Sequence, residues 1–182
     1  MDKMRSLNVF IEKLRLEHPN RKFPNFDPND GGSNAQIIFV LEAPGPKVLD
    51  TYLISRNNPD QTAHNMRYLL QTANIKREDT LLWNVVPWII CENGRNVTPV
   101  KQEINEEANY LIQLIKILPN VKAIVLVGKK AQMAEKHLCD IGLQQLKIFK
   151  TLHPSPKWIN RHPNNKLKLL SNFHEIASYL YS

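Results

Sequence analysis

The chain of 182 residues contains 42% hydrophobic and 23% charged residues, a composition typical of a globular domain and not of a disordered segment. Apolar stretches such as "QIIFVLEA" and "AIVLVG" are far shorter than the roughly 20 residues that a membrane helix needs, and the charged N-terminal residues are unlike a secretory signal, so we expect a cytoplasmic protein without membrane association. The 24 Lys and Arg residues outnumber the 17 Asp and Glu residues, for a net charge of +7, which favours polyanionic partners, although a merely basic surface has the same composition.

The first half of the chain predicts a helix, a turn-rich crossing segment, a buried strand and a second helix. These elements cover residues 4–17, 18–32, 36–42 and 62–73. The first helix places apolar residues at helical spacing, namely Leu7, Phe10, Ile11 and Leu14. Thr62 is the expected N-cap of the second helix, since its hydroxyl can accept from a free backbone amide of the first turn.

The second half predicts three further strands, each followed by a helix. The strands cover 80–88, 121–128 and 146–152, and the helices cover 97–120, 129–139 and 166–181. Pro87 ends the first of these strands, while Thr98 is expected to cap the next helix, with Pro99 in its first turn. The inner stripe of that helix is Ile104, Ala108, Leu111, Ile112, Ile115 and Leu118.

Alternation of strands and helices along the whole chain predicts one α/β domain over residues 1–182, a three-layer α/β/α fold with a four-stranded parallel central sheet. Ligands of such sheets bind beyond the carboxyl ends of the strands. Four segments are expected there, namely "EAPGP", "NVVPW", "GKKA" and "HPSPKW". They are the chemically distinctive parts of the sequence.

Three polar residues mark the ends of predicted strands. Glu42 could orient a water molecule or face a developing positive charge, and Asn84 could read the edge of a planar polar ligand or only tie down a loop. His153 could be structural by itself, but it shares this edge of the sheet with Glu42 and Asn84, which favours a common site.

The run Gly128-Lys129-Lys130 begins a helix after a strand and could receive a phosphate there. It is not a nucleotide P-loop, because Ala123 stands where that pattern has glycine and Lys130 stands where it has Ser or Thr. The alternative is that both lysines are solvated surface residues.

Three motifs occur in order at the predicted strand ends: "LEAPG" at 41–45, "LLWNVV" at 81–86 and "HPSP" at 153–156. Together they resemble the uracil-DNA glycosylase superfamily, and the similarity extends over roughly residues 23 to 175. The stretches "FDPNDGGSNAQIIFVLEAPGP" and "SRNNPDQTAHN" look like a bacterial branch of that superfamily.

The resemblance implies a monofunctional DNA glycosylase that flips uracil, or another deaminated base, out of DNA and hydrolyses its N-glycosidic bond. Asn84 would read the base, and His153 would donate to O2 of the leaving uracil. Glu42, as in the iron–sulfur branch, would serve the attacking water. The other residues of the first motif would border the base, namely Ala43, Pro44 and Gly45.

DNA is the partner that the resemblance implies, and we expect a monomer without metal or cofactor. Lys157 stands where the best-known branch has a leucine wedge, so the neighbouring Trp158 is the candidate for filling the hole left by the flipped base. The residues expected to hold phosphate are Ser155, Lys157, Arg161 and Lys129.

The sequence also departs from the family pattern. Ala43 stands where the most active branch has its water-activating Asp, and Gly45 replaces the tyrosine that excludes the thymine methyl group. Only two cysteines occur, Cys91 and Cys139, without a CxxC pair, so this chain alone cannot build the four-cysteine cluster of the iron–sulfur branch.

The sequence is compatible with two alternatives. Ala43 motivates a non-catalytic DNA-binding relative, and the fold alone is compatible with a nucleotide-binding module that has no role on DNA. A zinc nucleobase deaminase is excluded, because the sequence has neither an HxE nor a PCxxC motif.

Overall fold

A computed structural model describes residues 2–92, 95–140 and 146–182 of the chain. The strands in chain order are β1 (Asn25–Phe26), β2 (Ile37–Leu41), β3 (Leu53–Ile54), β4 (Thr80–Asn84), β5 (Cys91–Glu92), β6 (Arg95–Asn96), β7 (Ala123–Val127) and β8 (Lys147–Thr151). The helices are α1 (Arg5–Glu17), α2 (Val48–Thr51), α3 (Gln61–Thr72), α4 (Lys101–Lys116), α5 (Gly128–Gln132), α6 (Glu135–Asp140), α7 (Pro156–Ile159) and α8 (Asn165–Leu180). Within these residues, none of the helices has the length and apolar character that spanning a bilayer requires.

Four strands form the central sheet in the order β4-β2-β7-β8, and every pair is parallel. In this register Asn84 is opposite Leu41, and Val127 is opposite Thr151. The carboxyl ends of all four strands therefore meet at one edge, as the four-stranded parallel prediction requires. Outside this sheet, β1 pairs with β3 in parallel, and β5 pairs with β6 in antiparallel.

Helices cover both faces of the sheet, which confirms the α/β class. On one face Trp83 of β4 stacks on Phe26 with 5.2 Å between ring centroids, and it lies 5.8 Å from Phe10 of α1. On the other face Phe39 of β2 stacks on Phe173 of α8 at 5.5 Å. Burial on both sides is why these strands read as continuous apolar runs rather than alternating patterns.

Two helices begin at residues other than the expected ones. The N-cap of α3 is Asp60, not Thr62, because the Asp60 carboxylate accepts from the Ala63 amide at 2.9 Å. The N-cap of α4 is Val100, not Thr98, and the Glu103 carboxylate accepts from the Val100 amide at 2.8 Å.

Two other boundaries also differ from the prediction. The strand expected over 80–88 ends at Asn84. The Val85 and Val86 amides still donate to the Leu41 and Glu42 carbonyls at the end of the neighbouring strand β2. The helix expected over 129–139 is two short helices, α5 and α6, with Met133 and Ala134 between them. The inner stripe predicted for α4 is buried throughout.

A cluster of charged residues, Asp27, Asp30, Arg56 and Arg77, joins three loops near the start of β4; the first three are buried and Arg77 is partly exposed. Arg77 bonds to Asp27 at 2.6 Å and to Asp30 at 2.9 Å, and Arg56 lies 3.3 Å from Asp30. Arg56 also donates to the Thr80 hydroxyl. We call this set the charge cluster; it fixes the start of the loop that leads into α3.

Candidate active site

A cavity of about 440 Å³ opens at the carboxyl edge of the sheet, where the ligand sites of parallel sheets lie. Its wall comes from the ends of β2 and β4, the loop before α3, α3 itself and the loop after β8. The predicted site residues that line it are Glu42, Ala43, Pro44, Gly45, Asn84, His153, Ser155, Lys157 and Trp158. The fold thus gathers nine separately predicted residues around one space.

His153 is held as a neutral imidazole with its proton on Nε2. The Ser155 amide donates to Nδ1 at 3.2 Å, so Nδ1 must accept and Nε2 is left as the donor. Burial lowers the pKa of His153 to about 4, although the nearby Asp60 carboxylate acts to raise it. At neutral pH the ring can therefore donate one hydrogen bond without carrying a charge.

Gly128, at the end of β7, provides the surface on which His153 packs. Its φ is +86°, a conformation that other residues rarely adopt. A Cβ atom at this position would lie 2.9 Å from His153 Cβ and 3.2 Å from its Cδ2. The sequence left open whether the turn at Gly128 receives a phosphate; its contact with His153 shows that Gly128 also provides a packing surface for the imidazole.

The loop that carries His153 is fixed from two helices. Asn65 of α3 donates to the Pro154 carbonyl at 2.7 Å, and Asn165 of α8 donates to the Trp158 carbonyl at 2.7 Å. The Ser155 amide is engaged by His153, so only the hydroxyl of this residue remains for a ligand. Pro154 and Pro156 restrict the backbone of this loop, and the side-chain contacts from the two helices restrict it further.

Asn84 ends β4 with its side chain at the cavity, and it is only 4% exposed. No described residue hydrogen bonds to its carboxamide, whereas Ser55, Thr80 and Asp60 nearby are each engaged through their side chains. A buried amide with free donors and a free acceptor favours ligand recognition over tying down a loop.

Glu42 and the turn that follows it form the opposite side of the cavity. Burial raises the pKa of Glu42, and the positive charges of Lys130 and Lys157 partly oppose this effect. Lys130 is held in place by the Pro99 carbonyl at 2.8 Å. A carboxyl group with a raised pKa binds a proton more readily than an exposed one, and the two lysines limit this effect.

The basic residues predicted to hold phosphate occupy two kinds of position. Lys157 lines the cavity, while Arg161 lies outside it, with its guanidinium 5.0 Å from the centre of the Trp158 ring. Lys129 is exposed on α5 and does not border the cavity.

Several residues of the cavity escaped the sequence prediction. Ser55, Arg56, Asn58 and Asp60 line it from the loop before α3, and Met66 lines it from α3. The polar run "SRNNPD" between two apolar segments was the available signal, but nothing local indicates that this loop folds back onto the sheet edge.

Two comparisons with known proteins found similar sequences. A family model described as the uracil DNA glycosylase superfamily matches residues 28–177. The chain is also similar to a type-4 uracil-DNA glycosylase from Archaeoglobus fulgidus, with 28% identity over 155 residues that cover 84% of this chain and 71% of that protein.

A four-cysteine iron–sulfur cluster does not fit this chain. The sequence has only Cys91 and Cys139, and Cys139 is exposed on α6 with a free thiol. Two thiolates are too few for such a cluster.

Proposed function

Because the chain belongs to the uracil DNA glycosylase superfamily, we propose that it flips uracil, or another deaminated base, out of DNA and hydrolyses the N-glycosidic bond. One observation carries the proposal: an unengaged, buried Asn84 amide and a neutral His153 border the same cavity. The first group suits recognition of a base edge, and the second suits stabilisation of the anion that leaves.

Asn84 selects the base. Its carboxamide oxygen accepts from uracil N3–H, and its amide nitrogen donates to O4. Cytosine presents the opposite pattern at both atoms, so both contacts would be lost. A good bidentate contact of this kind discriminates by about 1–3 kcal/mol.

His153 stabilises the leaving group. As the bond from C1′ to the base breaks, negative charge develops on uracil O2, and the His153 Nε2–H group donates to it. A neutral donor suits this task because it needs no proton from solvent over the physiological range. Its rigid support by Gly128 and the Ser155 amide means that little reorganisation accompanies the reaction.

Glu42 serves the water. Its carboxylate accepts a proton from the water that attacks C1′ of the oxocarbenium-like sugar, and its raised pKa makes it a better base than an exposed glutamate. Ala43 has no side-chain acceptor, so it cannot take this role. Gly45 leaves room beside the base, which permits bases bulkier than uracil.

The loop after β8 grips DNA. The Ser155 hydroxyl and Lys157 hold phosphates next to the flipped nucleotide, and the exposed Arg161 and Lys129 reach phosphates farther along the duplex. Trp158 fills the gap left by the flipped base, and stacking of Arg161 on its ring stiffens it for that role.

The test is an abasic-site assay on uracil-containing oligonucleotides. His153→Ala and Asn84→Ala should each reduce base release roughly a hundredfold or more, the range seen when one such donor is removed. His174→Ala, at an exposed histidine of α8 outside the cavity, should release base as the wild type does. Normal release by both cavity variants would refute the site assignment.

Ala43 also favours a second candidate, a DNA-binding relative without catalysis. Wild-type protein that binds uracil-containing DNA but releases no base would establish this alternative. The same assay, run with uracil, hypoxanthine, xanthine and mismatched thymine, identifies the preferred base if release occurs.

A further inference from the structure

A second cavity, the α3–α8 groove, lies beside the candidate active site. It has a volume of about 620 Å³ and runs between α3, α7 and the first turns of α8. Leu69 and Leu169 form a buried floor, while Tyr68 and Lys166 stand on its rim. The volume is within the range of small-molecule sites.

Tyr68 presents an aromatic surface that the core does not use. The side chain is 42% exposed, although it stands on a helix whose neighbouring apolar residues are buried. The Lys166 ammonium lies 5.2 Å from the centre of its ring. An exposed ring beside an ammonium group matches what an unpaired nucleotide requires, a face for its base and a charge for its phosphate.

The charge of this region selects an anionic occupant. Residues 156–170, which supply α7 and the first turns of α8, contain four lysines and arginines but neither Asp nor Glu. The described residues that line the groove likewise include no acid, and those on its rim offer amide, imidazole and ammonium groups. Such a surface is complementary to a sugar–phosphate chain.

The groove adjoins the candidate active site. Gln61 lines both cavities. Pro156 lines the groove, whereas its neighbours Ser155 and Lys157 line the other cavity. A strand that leaves the active site past this loop therefore enters the groove next.

From these observations we propose that the α3–α8 groove binds an unpaired nucleotide of the DNA strand that carries the target base. The base stacks on Tyr68, and Lys166 holds the phosphate. Assignment of the strand rests on the proposed function, but binding of single-stranded DNA does not. Because a paired base cannot enter the groove, the protein prefers single-stranded DNA to duplex.

Fluorescence anisotropy tests this with a labelled single strand of about 12 nucleotides that lacks uracil, and with the matching duplex. Tyr68→Ala should weaken single-strand binding roughly 5- to 100-fold, the equivalent of losing one stacked base, and should change duplex binding little. Tyr68→Phe should bind like the wild type, because the ring is retained. Lys166→Ala should weaken binding and Lys166→Arg should restore it.

The matched control is Lys116→Ala, which removes an exposed lysine at the far end of α4. Equal loss of affinity for single strand and duplex in Tyr68→Ala, or no loss for either, would overturn the proposal.

Measurement of base release separates the groove proposal from the proposed glycosylase activity. If the wild type releases uracil and Tyr68→Ala binds single-stranded DNA as tightly as the wild type does, the groove proposal is wrong and the proposed glycosylase activity is supported. If Tyr68→Ala loses single-strand binding while neither the wild type nor the variant releases base, the groove proposal is supported and the proposed glycosylase activity is wrong.

Discussion

His153 shows how a backbone contact determines the chemistry of a side chain. The Ser155 amide occupies Nδ1, so the proton must be on Nε2, and burial keeps the ring neutral. Two prolines flank Ser155 and limit the conformations of this turn. The proline-rich sequence therefore supports a particular tautomer as well as a rigid loop.

The depressed pKa of His153 predicts a pH-dependent stability. Between its ordinary pKa of 6.5 and its folded pKa of about 4, the unfolded chain binds this proton and the folded chain does not. The free energy of unfolding should therefore fall as the pH is lowered through this window, by at most about 3 kcal/mol from this residue. Denaturant titrations at several pH values measure this dependence. The free energy of unfolding of His153→Gln should lack this fall with pH, whereas that of His174→Gln should retain it.

Gly128 makes a second prediction at the scale of one residue. Gly128→Ala puts a methyl group against the imidazole and strains a backbone with φ of +86°. We expect a stability loss of about 1–2 kcal/mol and a reduction in kcat for base release of roughly a hundredfold, because the imidazole is displaced. Thermal unfolding measures the loss of stability, and single-turnover kinetics measure the reduction in the rate of base release. An unchanged kcat would mean that the contact does not position His153.

At the scale of elements, α3 connects the two halves of the site. Its N-cap Asp60 borders the cavity, and its Asn65 tethers the His153 loop through the Pro154 carbonyl. The helix thus determines where the His153 loop lies relative to the end of β4.

Asn65→Ala should release that loop. The loss of one hydrogen bond costs about 1 kcal/mol of stability, while displacement of His153 should lower kcat roughly ten- to a hundredfold. Gln71→Ala, at an exposed position of the same helix, should leave both quantities unchanged. The two variants are compared by base release from a saturating concentration of uracil-containing single strand. Wild-type turnover by Asn65→Ala would show that the prolines hold the His153 loop in place without this hydrogen bond.

The elements also show what the sequence could and could not predict. Buried strands and the apolar stripe of α4 followed from local periodicity, and Asn84 and His153 could be placed because parallel strands end at one edge. Cap residues could not be identified this way, since Thr62 and Thr98 are good candidates by type. The choice of Asp60 instead depends on how the preceding loop is held by tertiary contacts, which leave no periodic signal.

For the molecule as a whole, the charge cluster links loops that are distant in sequence. Arg77 bonds to both Asp27 and Asp30, which are almost fully buried. Arg77→Met would leave two buried carboxylates short of partners and should cost about 3–5 kcal/mol of stability. Arg5→Met, at an exposed position of α1, is the matched control. The two variants are compared by the denaturant concentration at the midpoint of unfolding. Equal midpoints would show that the charge cluster contributes no net stability.

The charge cluster has a consequence for local opening of the chain. Ser55 and Arg56 start the loop before α3, and both bond into the cluster, so this loop cannot lift away without stranding buried carboxylates. The Asn57 amide is bonded to the Ser55 hydroxyl at 2.9 Å. In hydrogen–deuterium exchange, this amide should therefore exchange as slowly as those of the central strands, although Asn57 itself is exposed. One wall of the cavity would then belong to the last region of the protein to open.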